Sequence, residues 1–182
     1  MATILIVLIS AGMIVRAYEG KEPRFGARVF VAETAAVIGD VEVGDDCSIW
    51  YSAVVRADVH SIRIGARTNI QDNCTLHVTQ GTHPVRIAEE VTIGHAAVVH
   101  GCTIERRALI GMGSRVLDGA LVGELALVGA GALVPEGMQV PARTLVVGVP
   151  ARIKRQLTTD ELAHLEQSWK NYVGYKEKYL KG

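Results

Sequence analysis

The sequence predicts an all-β solenoid closed by a C-terminal α-helix, and three observations predict it. A branched aliphatic residue returns every six positions, as at Val31, Val37, Val43, Ile49 and Val55, and again from Val98 through Ile104, Ile110, Val116, Val122, Val128 and Val134 to Val140. Small residues such as Cys47, Ala53, Cys74, Ala108, Ser114 and Ala126 stand four positions after an anchor, and glycines such as Gly44, Gly111 and Gly123 directly follow one. After Val147-Gly148-Val149-Pro150 the apolar spacing becomes helical. A period of six fits neither an amphipathic helix nor a lone alternating strand, but it fits a short strand plus a turn, repeated. A β-sandwich would instead show alternating strands at irregular spacing. Three hexads make one triangular coil of about 18 residues, and with coils about 4.8 Å apart, five to six of them give a prism roughly 25 Å tall.

Taken in order, the chain begins with the apolar run Thr3 to Val15, which is too short for a membrane-spanning helix of about 20 residues and has no Lys or Arg before it. Met13 offers a natural opening, MIVRAYEGKEPRFG, so residues 1–12 are expected to be an N-terminal extension or start-site artefact, with an extra strand or a targeting segment as alternatives. Residues 13–150 form the expected solenoid domain. Its phase breaks three times: three surplus residues fall between Val55 and Ile64, five between Leu76 and Ile87, and one residue is missing between Ile93 and Val98. Residues 151–182 are expected to be a linker and a packing helix. Thr158 with Glu161 forms a capping box, and Leu162, Leu165, Trp169, Tyr172, Val173 and Leu180 recur at helical intervals, which predicts a helix from about 159 to 180 lying on the prism.

Composition excludes several function classes. Lys plus Arg and Asp plus Glu both number 19, so the net charge is zero; no basic stripe for nucleic acid and no polybasic membrane patch is present. Cys47, Cys74 and Cys102 are odd in number, widely spaced and in phase with the small positions of the repeat. They read as buried, reduced packing residues, a usage that suits the cytoplasm.

All three breaks of phase flank His77, His95 and His100, and irregularity beside a regular repeat marks a working site. Neutral imidazoles suit Zn²⁺, and three of them leave a position open for water. His95 and His100 are expected on different edges of the prism, and two faces of one narrow prism do not converge on one ion. Three prisms packed about a three-fold axis solve this: His95 of one subunit meets His77 and His100 of its neighbour in a homotrimer. Arg56, Asp58, Gln71 and Asp72 occupy the two coils before His77 and bring a guanidinium, two carboxylates and an amide close to the expected metal; a plain salt bridge of Arg56 with Asp58 or Asp72 at the interface is compatible with that role.

With VVRAD, NIQDNCTLH, IGHAAVVHGC, LIGMGS and VVGVPAR in place, the chain resembles the gamma-class carbonic anhydrases over roughly residues 13 to 180. That resemblance implies a left-handed parallel β-helix of hexapeptide repeats and reversible hydration of CO₂ to bicarbonate by a zinc-bound hydroxide. It implies His77, His95 and His100 as ligands of Zn²⁺, with Fe²⁺ or Co²⁺ permitted by the same set. It further implies Arg56 as an interface arginine, Asp58 and Asp72 as its partner carboxylates, Gln71 as the amide bonded to the hydroxide, and Tyr172 as a tyrosine near the metal. The acidic relay of the family's best-studied type is missing: Val59 and the loop VTQGTHPV stand where it carries glutamates, and His83 in that loop is a relay candidate or merely a solvated histidine. Alternative functions are acyl-CoA thioester hydrolysis at the same site, a non-catalytic trimeric scaffold or carrier, and acyl transfer of the hexapeptide type.

Overall fold

The computed structural model describes residues 13–181, so the expectation for residues 1–12 lies outside the described residues. The hexad anchors stack as predicted except at Val98: Val99 takes the core position, paired with Leu76 and Val116, while Val98 is half-buried, so the missing residue falls between Val99 and Ile104. Val37, Val55, Leu76, Val99, Val116 and Val134 lie above one another inside the prism, each fully buried, and each such side chain contributes about 1.5–3 kcal/mol of apolar burial. Parallel pairing between successive coils supplies partners to the backbone groups of the walls.

The three walls are ladders of short parallel strands. The first wall runs from Phe30–Val31 through Ser48–Ile49, Asn69–Ile70, Thr92–Ile93, Leu109–Ile110 and Leu127–Val128 to Thr144–Val147. The second carries Thr75–His77, Val98–His100, Arg115–Val116 and Leu133–Val134, and the third carries Val85–Ile87, Thr103–Ile104, Leu121–Val122 and Gln139–Val140. Two long strands, Ala36–Val43 and Val54–Ile64, turn the corner between the second and third walls and join them into one 12-stranded sheet beside the 8-stranded first sheet.

The coil lengths follow the sequence breaks. Phe30 lies opposite Ser48, Ser48 opposite Asn69, Asn69 opposite Thr92, and Thr92 opposite Leu109, so successive coils hold 18, 21, 23 and 17 residues. Those are the three surplus, five surplus and one missing residue of the repeat. The solenoid has about seven turns rather than five to six. The difference is the opening coil, where Ile14–Arg16 and Arg24–Phe25 pair with Ala36–Val43 without showing the hexad anchors.

At the corner between the first and second walls the same turn position is held in successive coils by Ser52, Asn73, Ala96, Gly113 and Gly131, all at φ between 57° and 69°. This left-handed residue folds the chain sharply and fixes the direction of the residue before it, His95 in its coil.

The C-terminal helix spans Thr159–Lys181. Its capping box forms as expected: the Glu161 carboxylate accepts from the Thr158 backbone N–H at 2.8 Å, and the Glu161 N–H donates to the Thr158 hydroxyl at 3.3 Å. Between Pro150 and the helix, Arg152–Gln156 adds an antiparallel strand against Thr144–Val147. The helix lies along the first wall, with Leu165 and Trp169 buried. Among the described residues no helix is long and apolar enough to cross a membrane.

Candidate metal centre

His77 and His100 end two adjacent strands of the second wall and face each other in direct register. The 23-residue coil between them, lengthened by the insertion at 78–84, makes this alignment; a regular coil would set another residue above His77. Their rings lie 5.1 Å apart, with His77 Nδ1 3.1 Å from His100 Nε2. Two nitrogens on one tetrahedral ion with Zn–N of 2.0–2.1 Å stand about 3.3 Å apart, so the pair is spaced as neighbouring ligands are.

Each ring is held from its other nitrogen by a carboxylate. His77 Nε2 lies 3.1 Å from Asp58 Oδ1, and His100 Nδ1 lies 2.5 Å from Asp118 Oδ1. His95 Nδ1 lies 2.7 Å from Asp72 Oδ2. A carboxylate on the far nitrogen fixes the tautomer and the orientation of a ligating imidazole and raises its basicity. That leaves Nδ1 of His77, Nε2 of His100 and Nε2 of His95 available to a cation.

The three imidazoles do not meet within one chain, and among the described residues no group of three metal-ligating side chains is disposed around a common point. His95 stands at one edge of the second wall, at the corner it shares with the first, while His77 and His100 stand at the opposite edge. Around His95 the polar groups are buried and mutually bonded. Its backbone N–H donates to Gln71 Oε1 at 3.1 Å, and Gln71 Nε2 donates to Asn69 Oδ1 at 3.1 Å. Asn69 Nδ2 donates in turn to the Thr92 hydroxyl, which lies 3.3 Å from that of Ser168 on the helix. Gln71 is therefore engaged with the His95 corner.

Arg56 pairs with Asp58 two positions along the same strand, so Arg56, Asp58, His77, His100 and Asp118 form one group, and Gln71, Asp72 and His95 another. Tyr172 lies with the second group: its ring packs edge-on against Trp50 at 5.5 Å and lines a pocket with Asp72. Burial, with the Asp72 carboxylate and Tyr175 nearby, pushes its phenol up to about 12, so the hydroxyl is protonated at neutral pH.

Electrostatics suit a cation. Burial raises the Asp58 carboxyl, but hydrogen bonds from Arg56 and His77 outweigh it and leave the group below its ordinary value. Asp118 is likewise raised by burial and brought lower by hydrogen bonds from Thr79 and His100. Both are anionic at neutral pH. Burial chiefly holds His77 below its usual value, partly opposed by Asp58, which keeps the imidazole in the neutral form that a metal takes.

Asp118 is the residue that sequence reasoning missed. It follows His100 by 18 residues in the corner dipeptide Asp118-Gly119, a spacing that gains meaning only when the coil lengths around it are known. Its surroundings are built to receive it: a Cβ on Gly101 would stand 2.3 Å from Asp118 Oδ1, and the Thr79 hydroxyl donates to Oδ2. His83, on the surface of the inserted loop, lies 3.8 Å from the same carboxylate. The three cysteines are buried and unpaired. Burial pushes Cys47 and Cys102 up to about 12 and Cys74 to about 11, so none is a reactive thiolate.

No family model matches the chain, but individual relatives do. It is 46% identical over 156 residues to a carbonic anhydrase of Geobacillus kaustophilus, covering 86% of this chain and 85% of that protein. It is 45% identical over 158 residues to the mitochondrial gamma carbonic anhydrase 2 of Arabidopsis thaliana, covering 84% of this chain, though it spans only 57% of that relative's length. A solved hexapeptide transferase family protein from Anaplasma phagocytophilum superposes with a TM-score of 0.88 at 38% identity, covering 91% of this chain and 98% of that one. The about seven turns of parallel β-solenoid are those of the left-handed hexapeptide β-helix, and on these identities and coverages the chain belongs to the gamma carbonic anhydrase family.

Proposed function

We propose that the chain catalyses the reversible hydration of CO₂ at a divalent-metal site completed between subunits of a homotrimer, with His77 and His100 from one subunit and His95 from the next. The observation that carries this reading is the shared plan of the three imidazoles, each gripped by an aspartate on one nitrogen, two of them with their other nitrogens 3.1 Å apart. Neutral imidazole donors fit Zn²⁺, and accept Fe²⁺ or Co²⁺ as well. When bound, such an ion supplies Lewis acidity that makes water deprotonate near neutral pH.

The chain's own residues do the rest. Asp58, Asp72 and Asp118 hold the rings in their ligating tautomers. Arg56 fixes Asp58 and places a cation beside the site. Gln71 anchors the His95 backbone, so the corner cannot swing away. The phenol of Tyr172, kept protonated, offers a hydrogen-bond donor on the His95 side. Buried, reduced thiols fit a reducing compartment such as the cytoplasm.

An open trough of about 360 Å³ runs beside His95, lined by Leu109, Ile110, Met112 and Leu127, with His164 and Ser168 on its rim. Its apolar length favours a second reading, thioester hydrolysis of an acyl-CoA at the same centre. Stopped-flow CO₂ hydration on protein of assayed metal content tests the first reading. Wild type is expected to hydrate CO₂ and His95→Ala to lose at least about 100-fold, since one missing ligand removes both metal affinity and geometry; equal rates would refute catalysis here. Release of thiol from a panel of CoA esters decides the second.

A further inference from the structure

Aromatic residues are scarce in this chain, with two tryptophans, five tyrosines and two phenylalanines in all. One tryptophan and four of the tyrosines wall a single open pocket of about 300 Å³, at the lower end of the range of small-molecule sites, about 300–1,000 Å³. Trp50 and Tyr51 come from the corner between the first and second walls. Tyr172, Tyr175 and Tyr179 come from the helix at i, i+3 and i+7, on one face. Phe30 backs the group, 5.1 Å from Trp50.

The rings pack edge to face rather than as a stack, with centroids 5.1–6.3 Å apart. Trp50 meets Tyr172 at 80° and Tyr179 at 89°, Tyr51 meets Tyr179 at 61°, and Tyr172 meets Tyr175 at 71°. Steeply crossed rings around an open space present several π faces and edges to whatever enters it. Tyr179 also ties the helix to the prism, 5.2 Å from Phe30 and 5.1 Å from Trp50, but it and Tyr175 remain 50% and 46% exposed around the open space. The pocket also holds a carboxylate, that of Asp72, whose other contact is His95. At the mouth stands the exposed Lys178.

Several π faces beside one carboxylate are the chemistry that recognises a weakly hydrated organic cation. A trimethylammonium group needs no hydrogen-bond acceptor and suits a lining that is mostly π surface beside one carboxylate. Lys178 then meets an acid at the ligand's other end. We propose that this pocket is a binding site for a quaternary ammonium acid of the betaine class, with the methylated nitrogen among the rings beside Asp72 and the carboxylate toward Lys178. The site goes beyond the metal reading and shares one residue with it, Asp72, which also holds His95.

Calorimetric titration of the purified full chain with glycine betaine and with 3,3-dimethylbutanoate tests the proposal, because the two differ only in replacing the quaternary nitrogen by carbon. Betaine is expected to bind saturably and the uncharged-head analogue about tenfold more weakly or worse. Tyr175→Leu and Tyr179→Leu, both half-exposed positions outside the metal centre, are each expected to weaken betaine at least about fivefold, with bound metal per chain unchanged. Equal binding of the two probes, no binding of betaine, or undiminished betaine binding by both variants overturns the proposal. Metal content measured on the same samples reports the fate of the metal reading separately.

Discussion

At the scale of single residues, orientation of the imidazoles is the quantity on which the site turns. Asp118→Asn retains the shape of the side chain but replaces an anionic acceptor by an amide, so His100 loses the charge that fixes its tautomer. The expected outcome is a 10–100-fold loss of affinity for Zn²⁺, on the order found for such outer partners, read by competition against a chromophoric chelator. Gly101→Ala is expected to match it by another route, because the added Cβ would stand 2.3 Å from Asp118 Oδ1 and push the carboxylate away. Unchanged affinity in both variants would show that Asp118 has no part in holding the ion. The histidines were legible in the sequence because breaks of the six-residue phase flank them, and the aspartates at 58 and 72 because they stand in the coils leading up to His77 within the motifs VVRAD and NIQDNCTLH. Asp118 was not legible, since it lies in a regular coil and comes near His100 only through stacking.

At the scale of elements, the helix was readable from its capping box and apolar spacing, whereas its strongest polar tie to the prism was not. Lys176 is completely buried, its Nζ 2.8 Å from Asp46 Oδ1, in a pattern that gave no reason to expect a lysine to face inward. Asp46 also accepts from Arg28, and that hydrogen bond leads in holding its carboxyl below the usual range. The two sides of the pair are therefore unequal. Asp46→Ala leaves a buried ammonium with no counter-charge and is expected to destabilise the protein by about 3–5 kcal/mol. Lys176→Met removes the buried charge itself, leaves Arg28 on an aspartate that still reaches solvent, and is expected to be much milder. Urea midpoints at one fixed protein concentration measure both, and equal losses would contradict this account of how the helix is pinned. Because the same helix carries Ser168 and Tyr172 to the His95 corner, its seating also fixes the candidate site.

At the scale of the whole molecule, the three phase breaks specified coil lengths of 21, 23 and 17 residues in advance, because a register of stacked strands has no other way to absorb extra residues. The opening coil was missed because pairing to Ala36–Val43, rather than hexad anchors, holds it in place. The same geometry separates His95 from His77 and His100 across the second wall, and this makes subunit sharing testable without any partner structure. Let His95→Ala and His77→Ala chains be co-expressed with distinguishable tags. In a ring of three, any mixed trimer has one junction at which an intact His95 meets an intact His77 and His100 pair. Random assembly then restores about a quarter of the wild-type metal sites, although neither variant alone holds any. Metal per chain and CO₂ hydration of the whole co-expressed population are expected to recover together to that fraction, and trimers selected for both tags to about a third. If the three ligands came from one chain, every chain in the mixture would lack one and nothing would return, so a flat result places the centre within the protomer and removes the trimeric site.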